Sequence, residues 1–330
     1  MLICRKLQHV KQAHSLLSRL YTQAATAQQN HRPVQEIVIP VPWGHIAGKW
    51  WGRTDVQPIL GLHGWEDNAN TFDALVPHLN VESFLAIDFV GHGMSSHLPV
   101  GRFYNYLDFV LVVRMLQQHF KWRRFSVLGH SLGSSVGFIY AGLYPDAVDT
   151  LVSIECAHSL VMGNKTFELE KMKLTIDKSL ALEKQLGKGP PAYELDEMVQ
   201  LLYEGVHHTL SLDACRTLLQ RGTRATEKNG KEYHHFSRDP RLRVQWLGRL
   251  TEDIYYATAK RVACKALYIR AKQGLLFGGD EERVYLNTIG VLKNSALRFE
   301  YHEVDGTHHT HLNTPLHVAP IINKYLECLS

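Results

Sequence analysis

The chain has 330 residues, 45% hydrophobic and 21% charged. That composition suits a folded chain long enough for a large core, and excludes disorder as the main state. The 36 Lys and Arg against 32 Asp and Glu give a net charge of +4, which would suggest a nucleic-acid or anionic-membrane partner if the excess were spread over a surface. It is concentrated at the front. Arg5, Lys6, Lys11, Arg19 and Arg32 precede the first acidic residue, Glu36, and the rest of the chain carries 31 cations against 32 anions. No nucleic-acid partner is therefore expected.

Residues 1–33 form this basic leader. Leu7, Val10, Leu17 and Tyr21 recur at helical spacing, with Lys11, Ser15 and Ser18 on other faces. Such an acid-free, Arg-bearing amphipathic start resembles a mitochondrial presequence, with a candidate cleavage site after Tyr21. A plain basic tail or surface helix is the competing reading. No uninterrupted apolar stretch follows to make a secretory signal. The C-terminus Glu327-Cys328-Leu329-Ser330 is not an S-K-L-type address.

From residue 35 onward, short apolar runs alternate with helical patterns. Glu36–Val41 and Ile46–Trp51 flank a Pro-Trp-Gly turn and read as a hairpin. Pro58–Leu62, Phe84–Asp88, Phe125–Leu128 and Thr150–Glu155 read as strands buried on both faces. Helices are predicted over Phe72–His78, Tyr106–His119 and Leu132–Tyr144. This alternation predicts an α/β fold with a mostly parallel sheet flanked by helices. The rhythm stops at 156–261, where Lys-, Glu-, Leu- and Gln-rich helical patterns show no convincing strand pair. Strands resume at Lys265–Arg270 and Leu297–Val304, before a last helix over Pro315–Leu329. The expected organisation is a core of 34–155 and 262–330 carrying an inserted helical cap, or lid, at 156–261.

The segment Phe125–Gly133 contains Gly129-His130-Ser131-Leu132-Gly133. A G-x-S-x-G placed between a buried strand and a helix makes a tight turn that lifts the serine to the carboxyl edge of the sheet. Ser131 is the predicted nucleophile. The N–H of Leu132, at the helix N-terminus, and that of Trp65, in the turn Gly61-Leu62-His63-Gly64-Trp65, are the predicted oxyanion donors. His63 reads as a structural hydrogen-bonding residue. The same strand and helix account for the uncharged run Phe125–Pro145, whose four glycines and four serines argue against a membrane span.

Chain order places the general base last, in Asp305-Gly306-Thr307-His308-His309-Thr310-His311-Leu312-Asn313-Thr314-Pro315. Two readings compete there. His308 and His311 could share a cation, but no companion acidic or Cys ligand set has a recognisable spacing. The alternative is that one histidine serves Ser131. No metal or cofactor is expected. His207-His208 and His234-His235 read as polar surface or cavity-lining groups. Cys4, Cys156, Cys215, Cys264 and Cys328 are scattered and odd in number, which suits free thiols in a reducing compartment.

Together these segments resemble the α/β-hydrolase superfamily over residues 35–330. Leu62-His63-Gly64-Trp65 matches its oxyanion loop, and Asp88-Phe89-Val90-Gly91-His92-Gly93-Met94-Ser95 its D-x-x-G-H-G-x-S turn. Gly306 to Pro315 matches its terminal G-x-H-x-x-H-L-x-x-P pattern, in which the first histidine, here His308, is the catalytic one. Val41–Lys49 and His63–Ala69 look like the serine hydrolase-like proteins of kraken type. The resemblance implies an intracellular hydrolase, with cytoplasmic and peroxisomal placement as alternatives to the mitochondrial one because both occur in that group. It also implies an Asp after the strand Lys265–Arg270, where this chain has Ala271-Lys272-Gln273-Gly274 instead. Glu155, at a strand end, is the favoured acid, and Asp280 the alternative.

The expected function is cleavage of an ester-like bond, a carboxylic ester or thioester, of a small, moderately apolar substrate through an acyl-enzyme on Ser131. Ser131 argues against epoxide hydrolases and haloalkane dehalogenases, which need a carboxylate nucleophile. A serine-dependent carbon–carbon bond hydrolase and a catalytically weak binding protein of the same fold are the alternatives. The oligomeric state is not legible.

Overall fold

The computed structural model describes residues 32–158, 165–244, 250–274 and 278–327. The leader, apart from Arg32 and Pro33, lies outside them, as do residues 245–249 and the C-terminal 328–330.

Residues 34–330 form one compact unit around an eight-stranded sheet. Its strands are β1 (Val34–Val41), β2 (Gly44–Gly52), β3 (Ile59–Leu62), β4 (Ser83–Ile87), β5 (Phe125–His130), β6 (Val148–Ile154), β9 (Lys265–Gln273) and β10 (Arg298–Thr307). Their order across the sheet is β1-β2-β4-β3-β5-β6-β9-β10. β1 and β2 pair antiparallel, β2 runs antiparallel to β4, and β4 through β10 are parallel. Strand chemistry explains the layering. Successive residues face opposite sides, so Leu85, Val127, Leu151 and Tyr268 enter one core while Phe84, Leu128, Val152 and Leu267 enter the other.

Helices α1 (Tyr106–His119) and α2 (Leu132–Leu143) cover the first face, contributing Phe109, Val113, Val136 and Tyr140. The turns Ala69–Phe72 and Val76–His78 cover the second face, contributing Phe72 and Val76. They are 3₁₀ turns rather than the continuous helix predicted over Phe72–His78, because Pro77 brings no amide hydrogen to an α-helical ladder.

Between β6 and β9 lie α3 (Lys165–Gln185), α4 (Leu195–Gly205), α5 (Leu212–Gly222), a hairpin of β7 (Thr223–Lys228) and β8 (Lys231–Phe236), and α6 (Glu252–Arg261). The hairpin is a departure from the all-helical expectation. Asn229 and Gly230 turn it at φ 56° and 74°, as a type I′ turn requires. Helices α4 and α5 build their own small core from Met198, Val199, Cys215 and Leu218, which Leu312 joins. Helix α6 differs: its Tyr255 and Ala259 sit in the main core with Tyr285 of α7 (Asp280–Ser295). Helix α8 (Ala319–Glu327) closes the second face with Ile322 and Tyr325.

Candidate active site

β5 ends at His130 and α2 begins at Leu132, so Ser131 alone makes the turn. It does so at φ 51° and ψ −113°, a strained conformation for a residue with a side chain. The flanking glycines make the turn sterically feasible. A Cβ on Gly129 would come within 2.4 Å of the Gly133 carbonyl carbon, and one on Gly133 within 2.0 Å of the Leu62 oxygen. The Ser131 N–H donates to the Ile154 carbonyl at 3.0 Å, tying the turn to β6. Leu132 is the first residue of α2, and a helix offers its opening N–H groups no internal acceptor.

The next strand end supplies a carboxylate. Glu155 follows β6 at φ 79°, again unusual for a residue with a side chain. Its Oε1 accepts from the Ala271 N–H at 2.5 Å, and its Oε2 accepts from His308 Nδ1 at 2.9 Å. The neighbouring strand leaves space for this. A Cβ on Gly274 would lie 2.1 Å from Glu155 Oε2. The carboxylate from β6 thus occupies room that any side chain at Gly274 would fill. Asp280, the alternative acid, opens α7 with a side chain 86% exposed and pairs with Arg283 at 3.3 Å.

His308 follows β10, and its side chain is 11% exposed. Burial holds its imidazole below the ordinary value, against the opposing pull of Glu155. With the Nδ1 proton donated to Glu155, the lone pair sits on Nε2. His130, the neighbour of Ser131, donates from Nε2 to the His308 carbonyl at 3.0 Å. The serine turn and the histidine loop are therefore linked directly. Burial, with the Glu155 charge, pushes the neighbouring Cys156 thiol up to about 12. It stays protonated and unreactive at neutral pH.

The Trp65 loop is held from both sides. His63 donates from Nδ1 to the Gly64 carbonyl at 2.7 Å and accepts the Phe89 N–H on Nε2 at 2.9 Å. His92 accepts the Glu66 N–H at 3.1 Å. Both histidines serve the backbone. The D-x-x-G-H-G-x-S turn is likewise architectural. Asp88 accepts from the N–H groups of Ala69 and Met94, each at 2.8 Å, and from Arg221 Nε at 2.7 Å.

His311 bonds Thr71 Oγ1 through Nε2 at 2.7 Å and His308 Nδ1 bonds Glu155, and among the described residues these two histidines do not meet in a shared group of potential metal ligands. His208 pairs with Glu204 at 2.9 Å on the surface, and His234 with Glu232 at 3.2 Å. Two groups escaped the sequence reading. Asp67, His130 and His309 meet in one buried cluster. Thr209, from the inserted block, reaches the histidine loop: its Oγ1 lies 3.0 Å from His309 Nδ1, and its carbonyl accepts from Thr307 and Asn313 at 2.6 and 2.7 Å.

The α/β hydrolase fold family matches residues 57–186. A probable serine hydrolase of Drosophila melanogaster is 38% identical over 296 residues, covering 89% of this chain and 88% of that protein. This chain belongs to the serine hydrolase-like proteins of the α/β-hydrolase fold. A mouse serine hydrolase-like protein is 33% identical over 89% of this chain and 96% of its own length. The crystal structure of a hypothetical protein from Pseudomonas aeruginosa superposes with a TM-score of 0.75 at 31% identity, covering 89% of this chain and 99% of that one. For this serine hydrolase-like chain, no helix among the described residues is long and apolar enough to cross a membrane.

Proposed function

We propose that this hydrolase cleaves a carboxylic ester or thioester through an acyl-enzyme on Ser131, with His308 as general base and Glu155 as its orienting acid. The observation that carries the reading is the 2.9 Å bond from His308 Nδ1 to Glu155, beside a serine held in a strained turn. That bond fixes the tautomer in which Nε2 can accept a proton. In the proposed cycle, Nε2 takes the Ser131 proton as Oγ attacks the carbonyl carbon. The N–H groups of Leu132 and Trp65 hold the resulting oxyanion. Collapse breaks the bond to the leaving alcohol or thiol, which receives the proton from His308. Water then attacks the acyl-serine, its proton going to His308 and back to Ser131, and the carboxylic acid departs. Glu155 stabilises the transient imidazolium. No step calls on a metal or organic cofactor.

The block between β6 and β9 is proposed as the lid over this site. Its Leu, Met and Tyr content supports a small, moderately apolar substrate. The test is a panel of esters and thioesters of varied acyl length, run on wild type and Ser131→Ala. Hydrolysis should show an initial burst of leaving group and fall by at least about 10⁴-fold in the variant. Equal turnover by Ser131→Ala would reject the acyl-enzyme. The leader is proposed, on its acid-free composition, as a mitochondrial address.

A further inference from the structure

We propose that Asp67, His130 and His309 form a binding site for a divalent transition-metal ion of zinc type, beside the histidine loop. The three side chains come from three separate connections, after β3, at the end of β5 and after β10, and are at most 7% exposed. Asp67 Oδ2 lies 3.6 Å from His130 Nδ1 and 3.6 Å from His309 Nε2. Those separations are too long for hydrogen bonds, which cluster near 2.7–3.2 Å. They are close to the edge of a tetrahedron around a metal with bonds of about 2.1 Å, which is about 3.4 Å.

The hydrogen bonds behind the cluster decide which atoms face inward. His130 donates from Nε2 to the His308 carbonyl at 3.0 Å, so its neutral ring carries the lone pair on Nδ1. That Nδ1 is buried and has no hydrogen-bond partner. Thr209 donates its hydroxyl hydrogen to the Val206 carbonyl at 2.8 Å, so at 3.0 Å it accepts from His309 Nδ1. His309 then carries its lone pair on Nε2. Two imidazole lone pairs and a carboxylate oxygen therefore converge out of water. A proton shared with Asp67 answers one of the two contacts; a cation between the three groups answers both. Outer partners that fix the ring tautomer in this way are typical of histidine metal sites.

The space is kept open by Gly64. A Cβ there would stand 2.9 Å from His130 Nδ1 and 3.0 Å from Asp67 Oδ2. Two imidazole nitrogens and one carboxylate suit zinc and its transition-metal neighbours, whereas magnesium and calcium prefer all-oxygen shells. Asp67 also lines a small cavity with Leu218, Phe236 and Arg238.

The test uses the full chain, stripped with a chelator and titrated with Zn²⁺ and, separately, Co²⁺. Wild type should bind about one equivalent of Zn²⁺ tightly. Asp67→Asn and His309→Gln should each weaken that binding at least ten-fold, while His207→Gln/His208→Gln, which removes an exposed pair, should not. The Co²⁺ form should show the intense visible absorption of a four-coordinate site. That spectrum decides the matter if either buried variant fails to fold. Unchanged affinity in the folded Asp67→Asn and His309→Gln proteins would overturn the proposal, as would a weak, octahedral Co²⁺ spectrum in wild type. These readouts are binding and absorption, so they do not depend on Ser131 being a nucleophile.

Discussion

Ser131 and Glu155 stand at positive φ, 51° and 79°, at the ends of adjacent strands. Strain of this kind costs about 1–3 kcal/mol per residue and persists only where the surroundings over-determine it. Here Gly129, Gly133 and Gly274 clear the space, and the Ala271 N–H and His308 hold the carboxylate. Ser131 was legible because a buried strand, a glycine pair and an apolar helix are contiguous in the chain. Glu155 stood in the sequence as one of two candidate acids, since the contact that favours it joins residues 155 and 308, far apart in the chain. The Asp67–His130–His309 cluster left no spacing signal, because only the topology brings its three connections together. Glu155→Gln should lower kcat by about 10⁴-fold, because the amide can hold the wrong tautomer, while Asp280→Asn stays within two-fold of wild type; steady-state kinetics on both variants would reverse the assignment if the effects were exchanged. Gly274→Ala should drive its methyl into the carboxylate, for a loss of roughly 10²-fold in kcat. A pH profile tests the base. Burial lowers His308 in the folded state, so the ring stays neutral to below its ordinary 6.5. The acid limb of kcat/KM, measured on chelator-treated enzyme, should fall below pH 6.5. The sign for stability follows: the unfolded chain binds the proton more tightly, so stability is lost as pH drops through 6.5 toward the folded value. A limb above 6.5 would contradict this.

Buried elements were the readable ones, since two-sided burial writes an unbroken apolar run. The β7–β8 hairpin was not readable from apolar pattern, because most of its residues are exposed and polar. Its signal was Asn229-Gly230, a turn dipeptide between two six-residue arms. Helix α6 shares the helical pattern of the inserted block but buries Tyr255 and Ala259 in the main core, so we propose that the lid ends before it. What ties the block down is charge. Arg221 of α5, its side chain 3% exposed, binds fully buried Asp88 at 2.7 Å and Glu36 of β1 at 2.7 Å. Removing one partner leaves an uncompensated buried carboxylate, so Arg221→Ala should cost about 3–5 kcal/mol. Denaturant unfolding would measure it, and a cost below about 1 kcal/mol would show that the pair is not structural.

At the scale of the molecule, the net charge of +4 divides into a five-cation leader and a remainder of 31 cations against 32 anions. On the reading proposed above, the basicity speaks to an address rather than to a partner. If the address is mitochondrial, protein recovered from mitochondria should begin at Thr22; an intact Met1 there would contradict it. The fold was legible because strand and helix alternate in chain order, and the inserted block was legible as the place where the alternation stops. The substrate was not, because on the proposed lid arrangement specificity rests on side chains that meet only after the block packs against the core. The most direct measurement is labelling of the native protein with a fluorophosphonate probe, followed by peptide mapping of the adduct. We expect a single adduct on Ser131, abolished in Ser131→Ala and strongly slowed in Glu155→Gln. Labelling that persists in Ser131→Ala, or native protein that resists the probe altogether, would contradict the serine mechanism.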